Sequence, residues 1–217
     1  MGAFLQLSTI LGDLSTVAKK LNYPESSICI LRGDIDELHN KFPSTYDNLI
    51  SCYHNRDNRL PILYGQDLVA SWLYEDYLMH KLKIVGLDIV GSGTDKNREI
   101  LPNTIVSTDS DCLVSYNGKK RRLELVNDHK GFWKKTHKCH LRDQKFKKIV
   151  ETDSILLGIS TKDNTYFIID NILTVPSKYL PFHTLWHKPA QELTIMETDL
   201  CLIDYNTISE QIKGMIM

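Results

Sequence analysis

The chain has 217 residues, of which 42% are hydrophobic and 24% are charged, and its formal net charge is −1. This composition is ordinary for globular proteins and excludes a disordered or fibrous chain. A chain of this length buries enough surface on folding to need no disulfide bonds. Its five cysteines are scattered, without a C-x-x-C pair, so we expect a reduced, cytoplasmic protein. We find no secretory signal pattern and no apolar run of membrane-spanning length, which predicts no membrane association.

The near-neutral net charge conceals a basic middle segment. Twelve lysines and arginines fall between residues 119 and 148. Clusters of this kind are typical of surfaces that contact nucleic acid, although they also occur on solvated helix faces.

Residues 4–60 have the apolar spacing of helices and predict a helical N-terminal extension over 1–60. Within it, residues 14–31 resemble a helix-turn-helix through Ala18, Leu21, Asn22, Ile28 and Leu31. A small residue allows two helices to cross closely, and asparagine tolerates the left-handed backbone of a tight turn. A plain helical hairpin gives the same pattern, so both interpretations stay open.

The core predicted for residues 61–217 begins with an amphipathic helix over 65–82 and continues as strands. Residues 83–93, 111–117 and 121–127 alternate with a period of two, and Asn117-Gly118 between the last two strands is a strong hairpin signal. These elements predict a helix followed by a three-stranded meander.

The second half of the core repeats this alternation of helix and strand. A basic helix is predicted over 134–148, followed by strands over 154–160 and 165–170. Three prolines predict an irregular segment over 173–193, and a short helix is expected over 209–217. The predicted order is therefore α, β, β, β, α, β, β, which indicates an α/β fold.

This order resembles the restriction-endonuclease fold of the PD-(D/E)XK nuclease superfamily over residues 65–170. The resemblance implies a central mixed sheet flanked by helices and a divalent-metal site. In the family, the site takes an aspartate from the second strand, an acid-x-lysine motif from the third, and often a glutamate from the preceding helix. Asp111 matches the first position, Glu124 lies 13 residues later at the second, and Glu75 is the candidate helical acid.

The lysine of the motif does not fall where the family has it. The residue two positions after Glu124 is Val126, whereas Asp128-His129-Lys130 does spell acid-x-lysine. Either Lys130 replaces the missing lysine, or Asp128 and Lys130 are themselves the motif. We favour Glu124 as the ligand with Lys130 as the displaced lysine.

Hydrolysis of a phosphodiester explains why such charges would gather. Mg²⁺ stabilises the transferring phosphate and activates water, and it needs only one or two carboxylates directly. We therefore expect Asp111 and Glu124 to bind Mg²⁺, with Mn²⁺ able to substitute. The alternative is that Asp111 only stabilises a turn and Glu124 faces solvent beside a cross-strand lysine.

The predicted basic helix supplies the expected contacts to nucleic acid. Its candidate phosphate-binding residues are Lys134, Lys135, Lys138, His140, Arg142 and Lys145.

The resemblance implies a Mg²⁺-dependent endonuclease that hydrolyses double-stranded or branched DNA. A restriction enzyme, a phage or plasmid nuclease and a junction resolvase all fit this expectation. Cutting two strands needs two sites, so a homodimer is expected. The alternative is a non-catalytic DNA-binding protein with a helix-turn-helix and a degenerate nuclease fold.

Overall fold

The computed structural model describes residues 3–53, 60–92, 94–102, 110–184 and 187–217. It has the mixed α/β architecture that the sequence predicts, in two compact units. The first unit comprises Met1–Tyr77 and Thr94–Ser107, and the second comprises Leu78–Gly93 and Thr108–Met217. The division falls inside one long helix, whereas the sequence placed a boundary at residue 60. Among the described residues, no helix combines the length and apolar character needed to cross a membrane.

The first unit is helical, as the sequence indicates. Its helices are α1 (Ala3–Leu11), α2 (Leu14–Lys20), α3 (Glu25–Arg32), α4 (Ile35–Lys41), α5 (Pro43–Tyr53) and the first part of α6 (Pro61–Ile84), followed by a 3₁₀ turn at Thr94–Asn97. Asp13 and Asp34 cap α2 and α4 by accepting hydrogen bonds from backbone N–H groups of the first turn. These caps satisfy donors that the helix start leaves unpaired.

The helix pair α2–α3 has the predicted turn but not the surface of a DNA reader. Asn22 adopts the expected left-handed conformation, with φ of 55°. Residues 26–31 of α3 are all buried, whereas Glu25 and Arg32 at its ends are exposed. A recognition helix must present side chains to the major groove, and α3 lacks an exposed face for this purpose.

The second unit is built on a six-stranded mixed sheet. Its strands are β1 (Asp88–Gly91), β2 (Cys112–Tyr116), β3 (Lys119–Asp128), β5 (Ile155–Ser160), β6 (Thr165–Ile169) and β9 (Cys201–Leu202), in the spatial order β1-β2-β3-β5-β6-β9. The β3–β5 pair is parallel, and the other neighbours are antiparallel. Asn117 and Gly118 both have positive φ, so the predicted hairpin between β2 and β3 is present. The predicted strand over 83–93 starts later, because α6 continues to Ile84.

The continuous basic helix predicted over 134–148 is wrong. The chain forms α7 (Phe132–Thr136), β4 (Lys138–Arg142) and α8 (Asp143–Thr152) instead. Cys139 and Leu141 are buried and alternate with more exposed neighbours, which is the period of a strand. The basic side chains hide this alternation in the sequence.

The irregular segment predicted over 173–193 is also wrong, because β7 (Ser177–His183) and β8 (Lys188–Thr194) form a hairpin there. With β4 they make a three-stranded antiparallel sheet in the order β4-β8-β7. The prolines occupy positions that a sheet tolerates: Pro176 precedes β7, Pro181 lies at a register shift in an edge strand, and Pro189 lies near the start of β8. The terminal helix α9 spans Tyr205–Ile216 and is longer than predicted.

An aromatic contact lies at the centre of the core around the two sheets. The rings of Trp133 and Phe167 meet edge to face, with centroids 4.9 Å apart. Phe167 lies opposite Gly158 in the β5–β6 pair, and a Cβ added at Gly158 would overlap the Phe167 ring. Gly158 in turn pairs with Val126 of β3, so this core lies beside the strand that carries Glu124.

Candidate active site

The hairpin between β2 and β3 brings the two predicted metal ligands together. Cys112 pairs with Leu123, so Asp111, one residue before β2, lies beside Glu124 on β3. The backbone N–H of Leu125 donates a hydrogen bond of 2.8 Å to Asp111 Oδ2. The central strand therefore holds the Asp111 carboxylate directly.

A lysine from the following helix completes the cluster. Lys145 is the third residue of α8, and its Nζ lies 2.8 Å from Glu124 Oε2 and 3.2 Å from Asp111 Oδ2. The same Nζ donates a hydrogen bond of 3.1 Å to the carbonyl oxygen of Leu125. Lys145 was predicted as a DNA contact, and the structure places it on the carboxylates.

Burial gives this cluster unusual electrostatics. The Glu124 side chain is only 4% exposed, and its burial raises the pKa to about 7, with Lys145 opposing the shift and Asp111 adding to it. Burial by itself lowers the pKa of Lys145, but the two facing carboxylates outweigh it and the net direction is upward. Lys145 therefore stays charged while Glu124 titrates close to neutral pH.

The oxygens around Lys145 Nζ are donors that suit a hard divalent cation. They are a carboxylate oxygen of Asp111, a carboxylate oxygen of Glu124 and the backbone carbonyl of Leu125. Mg²⁺ and Mn²⁺ favour such oxygen ligands, and Mg²⁺ keeps several waters. Within the described ranges, no group of three or more His, Cys, Asp or Glu side chains could hold a metal. A metal here would accordingly combine two carboxylates with the carbonyl and water, and this donor set fits Mg²⁺.

Asp128 and Lys130, the second acid-x-lysine candidate, have other contacts. The Asp128 carboxylate accepts hydrogen bonds from the backbone N–H groups of Lys130, at 2.9 Å, and Trp133, at 3.0 Å. These bonds connect the end of β3 to the start of α7. The side chain of Lys130 is exposed. The lysine that contacts Asp111 and Glu124 is thus Lys145 and not the predicted Lys130.

Glu75, the predicted helical acid, lies on α6 in the first unit and pairs with an arginine. Arg98 Nη1 is 3.0 Å from Glu75 Oε2, and the same guanidinium bonds both carboxylate oxygens of Asp76. Tyr23 also donates its hydroxyl to Asp76. The predicted role of Glu75 as an accessory acid stays a prediction.

The remaining predicted DNA contacts are distributed over α7 and β4. Lys134, Lys135 and Arg142 are exposed, whereas Lys138 forms a 3.0 Å ion pair with Glu192 of β8. The structure thus distributes these four charges over a short helix and an adjoining strand in place of a single basic helix.

His140, the sixth predicted contact, takes part in a polar cluster on the small sheet. Its Nε2 lies 3.0 Å from Glu192 Oε2, and its Nδ1 lies 2.9 Å from Nε2 of His183. Burial and the neighbouring His140 lower the pKa of His183. Local sequence patterns do not predict this cluster, because its three members come from three different strands.

The inward position of Lys145 has a signal in the sequence. Lys145 precedes the buried Ile149 by four residues, and residues at that spacing share a face of a helix. A lysine on the inward face of a helix needs a partner for its charge. The carboxylates of Asp111 and Glu124 supply that partner.

No known protein family model matches this chain, and no curated protein is significantly similar to it. The assignment of a function consequently rests on the chemistry and topology of the site.

Proposed function

We propose that the protein is a Mg²⁺-dependent endonuclease of the PD-(D/E)XK type that hydrolyses phosphodiester bonds of DNA. The observation that carries the proposal is the cluster of Asp111, Glu124 and Lys145 around a single point in the second unit. Two acids and a lysine at the junction of a hairpin and a helix are the elements that this chemistry uses. The cluster joins residues of a hairpin and a helix, and the Glu124 side chain is only 4% exposed, which makes a chance surface pairing a poor explanation.

The strand topology supports the same proposal. An antiparallel meander of β1, β2 and β3 is followed by β5, which pairs in parallel with β3 after the intervening helix α8. The resemblance implies this arrangement, with the acids at the start of the second strand and inside the third. In this chain, Asp111 directly precedes β2 and Glu124 lies within β3, which supports the proposal.

In the proposed reaction, Asp111, Glu124 and the Leu125 carbonyl would hold Mg²⁺ or, in its place, Mn²⁺. A metal bound there would lower the pKa of its bound water and stabilise charge on the phosphate. Lys145 offers a cation and hydrogen-bond donors to a phosphate oxygen and to the attacking water. Glu124 keeps its place through burial within β3, so the site is preorganised before DNA arrives.

The substrate would lie over the basic segment that follows β3. The exposed side chains of Lys134, Lys135 and Arg142 offer charge to the DNA backbone, and such contacts fix position without reading sequence. Double-strand cleavage requires two active sites, so we also propose a homodimer.

The alternative of a non-catalytic DNA-binding protein is less well supported. It relied on α3 as a recognition helix, and residues 26–31 of that helix are buried. It also treated the site as degenerate because Val126 replaces the lysine of the motif. Lys145 supplies an ammonium at the carboxylates and removes that argument.

Cleavage of supercoiled plasmid and branched DNA by the purified protein tests the proposal. We expect cutting in Mg²⁺, no cutting in EDTA, and loss of cutting in Asp111→Ala. Asp153→Ala is the matched control, because Asp153 is an exposed acid paired with Arg121. Binding without cutting on every substrate, in Mg²⁺ and in Mn²⁺, would reject the enzyme and restore the DNA-binding alternative.

A further inference from the structure

We infer that Lys145 is an internal cation that occupies the metal position and competes with the divalent metal for the same oxygens. The inference rests on the proposed function and adds a form of regulation to that site. It predicts that metal binding displaces the ammonium, so that metal loading and release of the lysine are a single event.

The contacts of the ammonium carry the argument. Lys145 Nζ contacts Glu124 Oε2 at 2.8 Å, the Leu125 carbonyl at 3.1 Å and Asp111 Oδ2 at 3.2 Å. These are the three protein oxygens that would ligate Mg²⁺. A metal bound by the same oxygens at about 2.0–2.1 Å would lie almost where the ammonium lies, and two cations cannot share that position.

The side chain of Lys145 can move its ammonium away from the two carboxylates. It is 31% exposed, whereas the Glu124 side chain is 4% exposed. Lysine carries a compact charge on a flexible four-carbon stem, so rotation about side-chain bonds can move the ammonium without moving α8. The carboxylates and the carbonyl are fixed on or beside the central strands and would stay in place.

This arrangement performs two tasks in sequence. Without metal, Lys145 offsets the repulsion between Asp111 and the buried Glu124 and keeps the donors assembled. When a metal takes its place, the displaced ammonium lies beside the site and is free to contact a phosphate of DNA. Because binding couplings are reciprocal, DNA that holds the displaced lysine should also tighten metal binding.

The test measures Mn²⁺ binding by electron paramagnetic resonance for the wild type, Lys145→Met and Lys147→Met. Lys147 lies on the same helix and pairs with Asp143, so Lys147→Met controls for loss of a positive charge nearby. We expect Lys145→Met to bind Mn²⁺ at least about tenfold more tightly than the wild type, within the usual range of coupling factors. Lys147→Met should match the wild type, and Lys145→Arg, which keeps a cation in the cluster, should gain nothing.

A second readout uses the unmutated protein and does not depend on the folding of any variant. Acetylation of lysines by a limiting reagent, mapped by mass spectrometry, reports how accessible each amine is. Mn²⁺ should increase acetylation at Lys145 and leave Lys147 unchanged.

The possible outcomes separate this inference from the proposed function. Equal or weaker Mn²⁺ binding by Lys145→Met, with measurable binding by the wild type, would overturn the competition and leave the metal site intact. Unchanged acetylation of Lys145 at saturating Mn²⁺ would do the same. Absence of Mn²⁺ binding in every variant would reject both the inference and the metal-dependent nuclease.

Discussion

The two units each contain a cation bonded to two carboxylates, but one cluster is structural and the other is an exchangeable cation site. In the first unit, the Arg98 guanidinium pairs with Glu75 and donates hydrogen bonds to both carboxylate oxygens of Asp76. The backbone carbonyl of Arg98 accepts a hydrogen bond from the Ser27 hydroxyl. Tyr23 also donates to Asp76. Burial lowers the pKa of Arg98, but Asp76 and Glu75 outweigh it, so the guanidinium remains charged.

In the second unit, Lys145 is bonded to Asp111 and Glu124 by single contacts of a flexible side chain. A guanidinium presents a planar fork of donors that matches a carboxylate, whereas an ammonium is a point charge on a movable stem. From this difference we infer that the arginine cluster is a structural ion-pair cluster that connects segments of the first unit. The lysine cluster is an exchangeable site where another cation can replace the ammonium.

Among the variants that distinguish the two clusters, Lys145→Met should have the largest effect, which is loss of cleavage. We expect the rate to fall by about 10²–10⁴-fold, because the variant loses the donor and charge nearest the phosphate. Initial rates on plasmid DNA, corrected for the folded fraction, measure it. Lys147→Met and Lys130→Met should keep the wild-type rate, and a loss confined to Lys130→Met would return the catalytic lysine to position 130.

A substitution in the arginine cluster should reduce stability and leave the cleavage rate unchanged. Arg98→Gln removes a cation bonded to the half-buried carboxylates of Glu75 and Asp76 and should cost about 1–3 kcal/mol of unfolding free energy. Urea unfolding measures this loss, and the cleavage rate of the remaining folded protein should be unchanged.

Glu75→Gln separates the predicted accessory acid from a structural partner of Arg98. Reduced stability with a normal rate would assign Glu75 to the arginine cluster. A normal stability with a reduced rate would contradict the contrast between the two clusters.

The scaffold beneath the lysine cluster gives a third test. Gly158→Ala places a methyl group against the Phe167 ring, and we expect a destabilisation of about 1–3 kcal/mol from overpacking. Gly214→Ala on α9 is the control, because a Cβ there meets no atom within 4 Å and should stabilise the helix by about 0.5–1 kcal/mol. Equal stabilities of the two variants in thermal unfolding would show that the contact with Phe167 is unimportant.

A further test concerns pH and uses the raised pKa of Glu124, which belongs to the lysine cluster. A carboxyl whose pKa is about 7 when folded and 4.5 when unfolded binds more protons in the folded state between those values. Its contribution to stability is therefore present at low pH and is lost as pH rises through 7. In EDTA, the wild type should lose stability relative to Glu124→Gln between pH 5 and 8, by at most about 1.4 kcal/mol per pH unit. Parallel stability curves for the two proteins would contradict the burial argument.

The sequence predicted that Asp111 and Glu124 lie together, but not that Lys145 joins them, for a physical reason. Asn117-Gly118 fixes the register of a tight hairpin, and that register places Asp111 beside Glu124. Local patterns therefore suffice for two residues that share one supersecondary unit. Lys145 belongs to a different element, and its reach to the carboxylates depends on how α8 packs on the sheet.

The small sheet was missed because its signals are masked by residues with strong local preferences. Lys138, His140 and Arg142 in β4 continue the basic pattern of the neighbouring helices, and prolines obscured β7 and β8. Each strand gains stability by pairing with the others, which local propensity does not contain. The alternation of the buried Cys139 and Leu141 with polar neighbours marks β4 as a strand in the structure.

The most direct test of the central claim compares Glu124→Gln with Glu192→Gln in a plasmid cleavage assay containing Mg²⁺, with DNA binding measured in Ca²⁺. Both changes replace a carboxylate paired with a lysine by an amide of the same shape. We predict that Glu124→Gln loses about 10³-fold in rate while still binding DNA, and that Glu192→Gln cuts at the wild-type rate. Wild-type cleavage by Glu124→Gln, or metal-independent cleavage by every variant, would contradict the assignment of this site.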